Sequence, residues 1–283
     1  MLPVLLDLKF IKIYTFGVFL ALGFLWSCFI LWKNVRLTSH KEEEVFDGLF
    51  VGLIGGLFFG RLIYVLLNFK DFGFSFLKFI LINGYPGMSV YGALIGAVLT
   101  LLFFFSSKKI RFLEIADYFM TSLFVGMVFG KLGSFFSGAE VGAKTNFILK
   151  TKYFGFDGWR HLTPFYEAVF FVIGAVAAQK ILMEMRKEKF FPGFLFYLSI
   201  WYFSAIYFIF DKLKVNHLYF SGQSFNKVIA AVLLLTIGVY FVYYFRSNIL
   251  IFFKTYGQKV TKKVGFGAKG KTSKREGEKP SSD

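Results

Sequence analysis

"YFMTSLFVGMVFGKLGSFFSGAEVG", residues 118–142, sets one lysine inside an apolar run and closes it with small residues and a glutamate. Its first part, Tyr118 to Phe136, carries no charge but Lys131. At about 1.5 Å rise per residue, a helix of this length crosses the roughly 30 Å hydrocarbon layer of a bilayer. Six further runs have the same character: Tyr14 to Trp32, Leu49 to Asn68, Gly87 to Phe105, Pro164 to Met183, Phe191 to Phe210 and Val228 to Phe245. Hydrophobic residues make up 56% of the 283 positions, 43 of them phenylalanine, more than a soluble core of this length needs. Backbone polar groups in lipid need internal partners, and these runs are too long and uniformly apolar for barrel strands. The sequence therefore predicts an all-α, polytopic membrane bundle of seven transmembrane helices.

The first run is longer than a signal-peptide core and no small-residue cleavage site follows it, so it reads as a retained helix. The single cysteine, Cys28, excludes a disulfide framework and reads as a small packing residue. The three histidines, His40, His161 and His217, fall in separate loops without metal-ligand spacing, so no metal is expected.

Lysines and arginines in the loops set the orientation. One side, with the loops after the first, third and fifth spans and the C-terminal segment, holds nineteen; the other holds ten. The expectation is an outside N-terminus and a cytoplasmic C-terminus. Residues 1–250 read as the transmembrane domain, with a small outer loop region at about 134–163. Residues 251–283 read as a basic, disordered cytoplasmic tail, because from Gly257 onward the chain is Lys, Gly, Ser and Glu with almost no large apolar residue. That tail and the positive loops account for the net charge of +16 without nucleic acid as a partner.

Ionisable groups inside spans cost about 2.5 to 3.5 kcal/mol at the bilayer centre, so their depths carry information. Arg61 lies roughly 10 Å inside the outer end of the second helix and Lys131 about 8 Å inside that of the fourth. Tyr91 and Glu167 stand one turn into the third and fifth helices, and Asp211 and Gln223 mark the outer ends of the sixth and seventh. Arg61, Tyr64 and Asn68 share one helix face, as do Lys131 and Ser134. A single cation near a helix end commonly snorkels to the headgroups. Polar groups from six helices at one level point instead to a lined cavity in the outer half of the membrane. The pairs Gly52 and Gly56, Gly92 and Gly96, and Gly126 and Gly130 have the spacing that lets helix backbones approach.

These residues resemble the bacterial prolipoprotein diacylglyceryl transferases. "GRLIYVLLN" (60–68) is similar to that family's second-helix motif, and "GMSVYGALIG" (87–96) to its Gly-Met-Ser-Phe-His-Gly-Gly segment. "GKLGSFFSGAEVG" (130–142) resembles its signature Gly-Arg-Ile-Gly-Asn-Phe-Ile-Asn-Gly-Glu-x-x-Gly. "HLTPFYE" (161–167) resembles His-Pro-x-Gln-Leu-Tyr-Glu, and "SGQ" (221–223) precedes the last helix as the family's Gly-Gln does. Order and spacing hold over about residues 10 to 245. Tyr91 stands where a histidine is usual, Lys131 in place of the signature arginine and Ser134 in place of the asparagine. Glu140 falls one place later than the family's glutamate. Tyr207 and Asp211 occupy the positions of a sixth-helix arginine and glutamate.

The resemblance implies transfer of a diacylglyceryl group from phosphatidylglycerol to the lipobox cysteine of a preprolipoprotein in the bacterial cytoplasmic membrane, with membrane lipids as surroundings and no cofactor. Lys131 and Arg61 are then candidates for the phosphate, and Tyr91, Glu140 and Asp211 for base or orienting roles. Tyr64, Asn68, Ser134, Tyr207 and Gln223 are candidate substrate contacts. His161, Tyr166 and Glu167 either join them or anchor the outer loop to the fifth helix. The replaced residues leave an alternative open, a member of the same fold that binds phospholipid or signal peptide without transfer. A small transporter would show two similar halves with broken helices near mid-membrane, and no such repeat is present.

Overall fold

A computed structural model describes residues 3–8, 11–82, 84–215 and 217–246. Among them are seven helices long and apolar enough to cross a membrane. They are α1 (Thr15–Val35), α2 (Glu42–Leu67), α5 (Val90–Ser107), α6 (Phe112–Ser137), α7 (Thr163–Met185), α8 (Phe194–Phe210) and α9 (Phe225–Tyr244). Two short helices, α3 (Phe69–Phe72) and α4 (Phe76–Ile80), lie between α2 and α5. By internal contacts the chain forms two units, Met1–Leu234 and Leu235–Asp283. The first holds all the side chains discussed below; in the second, α9 runs on to Tyr244. The basic tail expected at 251–283 lies outside the described residues.

Helix ends depart from the hydrophobic runs where charge marks the membrane boundary but not the helix boundary. α2 begins at Glu42, not Leu49, because Glu42, Glu43 and Glu44 in its first turn complement the positive end of the helix dipole. α6 likewise starts at Phe112, with Glu114 in its first turn. The all-α expectation needs one correction. Antiparallel two-stranded pairs form outside the spans: β1 (Val4–Leu8) with β2 (Ile11–Tyr14), β3 (Lys150–Thr151) with β4 (Arg160–His161), and β5 (Tyr219–Phe220) with β6 (Gln223–Ser224). Pieces of two to five residues give too little side-chain alternation to be read as strands.

Apolar surfaces have little reason to associate inside lipid, so close backbone approach holds the spans together. α2 and α5 meet through glycine: a Cβ at Gly96 would lie 2.8 Å from the Gly55 carbonyl oxygen and 2.3 Å from Phe59 Cβ. α1 and α6 meet around Gly126, whose Cβ would lie 2.9 Å from Ser27 Oγ, and Ser27 donates to the Ser122 carbonyl at 2.9 Å. Gly130, expected as the partner of Gly126 in packing, has open space beside it, with nothing within 4 Å of where a Cβ would stand. The side-chain amides of Asn34 in α1 and Gln179 in α7 exchange hydrogen bonds at 3.3 and 3.2 Å.

Two devices position the later spans. Asp117, buried in α6, accepts from the backbone N–H groups of Gly193 at 2.6 Å and Phe196 at 2.7 Å, satisfying donors at the start of α8. On the opposite ends of these helices, the segment after α6 is laced to the turn after α8. Ala143 donates to the Leu213 carbonyl at 2.8 Å, Val215 to that of Val141 at 3.2 Å, and Thr163 Oγ1 to that of Leu213 at 2.9 Å. Gly142, opposite Lys214, has no room for a side chain, since a Cβ there would sit 2.1 Å from the His161 carbonyl oxygen.

Asp117→Ala leaves both N–H groups buried without an acceptor, at a cost of about 1–3 kcal/mol. The unfolding temperature of the detergent-solubilised variant is expected to fall accordingly. An unchanged temperature would remove Asp117 from its role as the α8 cap.

Candidate functional site

Lys131 lies in the last two turns of α6, where burial leaves its side chain 6% exposed. An ammonium this far from water needs anionic partners. It has two: Glu140 Oε1 and Oε2 at 2.7 and 2.8 Å, and Glu167 Oε2 at 2.7 Å. Glu140 reaches back because Gly138, with φ of 77°, ends α6 in the left-handed conformation and turns the chain over the helix end. Glu167 stands in α7, just inside the start that Pro164 sets, and has no solvent exposure at all.

A second cation completes the group. Lys214 follows the 3-10 turn Asp211–Leu213 at the end of α8, and its Nζ lies 2.6 Å from Glu167 Oε1 and 3.8 Å from Glu140 Oε2. The two ammoniums thus occupy the two oxygens of one carboxylate. The Glu167 contacts are ion pairs without hydrogen-bond directionality. The Tyr207 ring lies beneath both cations, its centre 5.3 Å from Lys131 Nζ and 4.5 Å from Lys214 Nζ. Lys131, Glu140, Tyr207 and Lys214 line one cavity of about 140 Å³, closed by Val90, Val141, Thr163 and Asn226. The Tyr207 hydroxyl and Asn226 Oδ1 are buried there with no hydrogen-bond partner among the described residues.

Burial alone would raise the Glu140 carboxyl above its ordinary 4.5, but the Lys131 and Lys214 ammoniums outweigh burial and hold it at about 2. Ser134, buried in α6, faces the same carboxylate.

The other residues singled out from the sequence fall around this centre. Tyr91 is buried behind it, its ring edge-on to Tyr207 at 5.7 Å and to Phe203 at 5.9 Å. Asp211 accepts from Ser224 Oγ at 2.9 Å and lies 3.5 Å from His217 Nδ1, tying the chain ahead of α9 to the end of α8. His161 in β4 and Tyr166 near the start of α7 have ring centres 6.2 Å apart; Tyr166 donates to the Leu149 carbonyl, and burial pushes the His161 imidazole below its ordinary 6.5. Gln223 is exposed in the β5–β6 pair.

Arg61 is not among the cavity's lining side chains. Its guanidinium, buried in α2, donates to the carbonyls of Lys78 at 2.7 Å, Gly87 at 2.8 Å and Phe79 at 2.9 Å, and stacks at 5.0 Å on Phe72 and 5.8 Å on Tyr64. Asn68 caps the same helix by donating to the Tyr64 carbonyl at 2.9 Å. Equal depth in the membrane therefore does not place Arg61 and Lys131 on one site. Lys214 and Asn226 are the reverse case, lining the cavity without standing out in the sequence. The signal for Lys214 lies only in the backbone ladder that sets residues 141–143 beside 213–215.

Comparison with known proteins gives this arrangement its context. Residues 3–244 match the family described as prolipoprotein diacylglyceryl transferase. Among relatives named phosphatidylglycerol–prolipoprotein diacylglyceryl transferase, that of Clostridium tetani is 31% identical over 145 residues, 51% of this chain and 57% of its own. That of Listeria monocytogenes serotype 4a is 28% identical over 251 residues, covering 84% of this chain and 88% of its own. The Thermotoga maritima protein is 27% identical over 232 residues, 78% of this chain and 77% of its own. The chain belongs to the prolipoprotein diacylglyceryl transferase family.

Proposed function

We propose that the protein transfers a diacylglyceryl group from phosphatidylglycerol to the lipobox cysteine thiol of a prolipoprotein, in the bacterial cytoplasmic membrane. Within a chain of this family, the observation that carries the reading is the cavity walled by the buried Lys131 and the half-buried Lys214 ammoniums at the ends of several spans. Successive spans reverse direction, so the end of α6, the starts of α7 and α9 and the end of α8 share one side with the N-terminus. The excess of basic residues on the opposite side supports an outer position for the site. A lipid then presents its headgroup to the cavity while its tails stay in the leaflet.

The chemistry has two demands. The thiol sulfur attacks the glyceryl carbon while the bond from that carbon to the phosphate oxygen breaks, its electron pair leaving with glycerol phosphate. A base takes the thiol proton, and cations hold the departing phosphate. Lys131 meets the phosphate; as a point charge it lacks the two-pronged grip of the arginine usual at its position. Glu140, Tyr91 and Asp211 are the candidate bases or orienters, and of these Glu140 lines the cavity. Tyr207, Ser134 and Glu167 set the wall in which Lys131 works. Tyr64, Asn68 and Arg61 hold the 69–89 segment, and His161, Tyr166 and Gln223 belong to the outer segments through which the peptide approaches.

Purified protein in phosphatidylglycerol vesicles with a lipobox peptide is expected to yield a thioether-linked lipopeptide, detected by mass spectrometry. Lys131→Ala is expected to lower the yield at least about tenfold, the scale of one lost charge-assisted contact. Absence of product with folded wild-type protein would end the transferase reading and leave the binding-only alternative. The orientation has its own check: in a Cys28→Ala background, a membrane-impermeant maleimide should label Lys144→Cys in intact cells but not Lys109→Cys. The reversed pattern would invert the topology.

A further inference from the structure

The transferase reading gives the phosphate one cation, which leaves Lys214 without a role and the pairing of Glu140 with both cations unexplained. Lys214 is 12% exposed, and its ammonium faces the cavity above the Tyr207 ring. A single buried glutamate needs one cation for compensation, and Glu167 has two. The group carries two positive and two negative charges, but the two carboxylates differ in freedom. Glu167 is fully enclosed on a helix; Glu140 is 37% exposed, on a loop between Gly138 and Gly142.

Resting on the transferase reading, we propose that Lys214 is the second phosphate cation of this site, and that the lipid phosphate binds by taking the place of Glu140 on Lys131 and Lys214. A phosphodiester and a carboxylate each carry one negative charge, so the exchange keeps the buried group neutral. Glu167 stays in place and keeps the two ammoniums side by side. Two point charges so held supply what one planar guanidinium would give a phosphate. The cavity's 140 Å³ is below the roughly 300–1,000 Å³ of whole-ligand pockets, which suits a phosphate-sized group and leaves the acyl chains outside. As the carbon–oxygen bond breaks, the phosphate gains a second negative charge, which the pair of cations balances. Glu140, released from both ammoniums, regains basicity and accepts the thiol proton.

The test uses full-length protein in detergent and soluble glycerol 1-phosphate, titrated by calorimetry, alongside the vesicle transfer assay. Lys214→Met is expected to weaken glycerol 1-phosphate binding at least about tenfold and Lys214→Arg to restore most of it, on the scale of a charge-assisted contact. Glu140→Gln is expected to act in the opposite sense, tightening binding while lowering transfer, which a purely structural role for either residue does not produce. Should Lys214→Met fail to fold, Lys214→Arg and Glu140→Gln still decide the matter through the sign of their effects. Wild-type affinity in folded Lys214→Met, weaker binding in Glu140→Gln, or no binding to the wild type would overturn the proposal. Lysine-dependent phosphate binding with no lipopeptide from the wild type would instead sink the transferase reading while leaving the phosphate pair in place.

Discussion

A glutamate with no exposure to solvent cannot keep its charge alone, and the architecture around Glu167 follows from that constraint. Leaving such a carboxylate unpaired costs several kcal/mol even after the surroundings relax, so it needs a cation in place. Lys131 arrives from α6 and Lys214 from the turn after α8, so two parts of the chain distant from one another in sequence converge on α7. The backbone ladder between residues 141–143 and 213–215 is the scaffold that makes this meeting reproducible. Gly142 belongs to it because any side chain there would collide with the His161 carbonyl.

Away from this centre, the spans are held by contacts that need little chemistry. Glycine faces bring α2 against α5, and small residues with a serine hydroxyl bring α1 against α6. Arg61 shows how the same residue type serves a different end: its guanidinium collects carbonyls of the segment between α2 and α5 and fixes that segment on the bundle. Buried arginine and buried lysine thus divide the labour, one satisfying main-chain acceptors and the other facing a cavity with carboxylates as partners.

The spans were legible because length and apolarity are imposed by the bilayer, whatever the residues later touch. Their ends were less so, since Glu42 to Glu44 extend a helix that the hydrophobic run alone begins at Leu49. Strand pairs of two residues leave no periodic trace. At the site, Lys131, Glu140 and Glu167 stand out as charges in or beside apolar runs, and the structure joins them. Lys214 reads as one more lysine in a short loop, because its value lies in a backbone pairing with residues some seventy positions earlier. Arg61 marks the opposite failure: depth in the membrane is legible, but whether a cation faces a cavity or a set of carbonyls is decided by the fold of the 69–89 segment.

One small cavity joins charge compensation to the chemistry of the site. A group that is electrically complete in the absence of substrate, yet has one carboxylate on a loop, is suited to exchange an internal anion for an external one. The most direct measurement is an experimental structure of the protein with phosphatidylglycerol or a non-cleavable analogue bound. The account places the lipid phosphate at hydrogen-bond distance, about 3 Å, from both Lys131 Nζ and Lys214 Nζ, with Glu140 displaced. A phosphate seated elsewhere, with Glu140 still joined to Lys131, would contradict it.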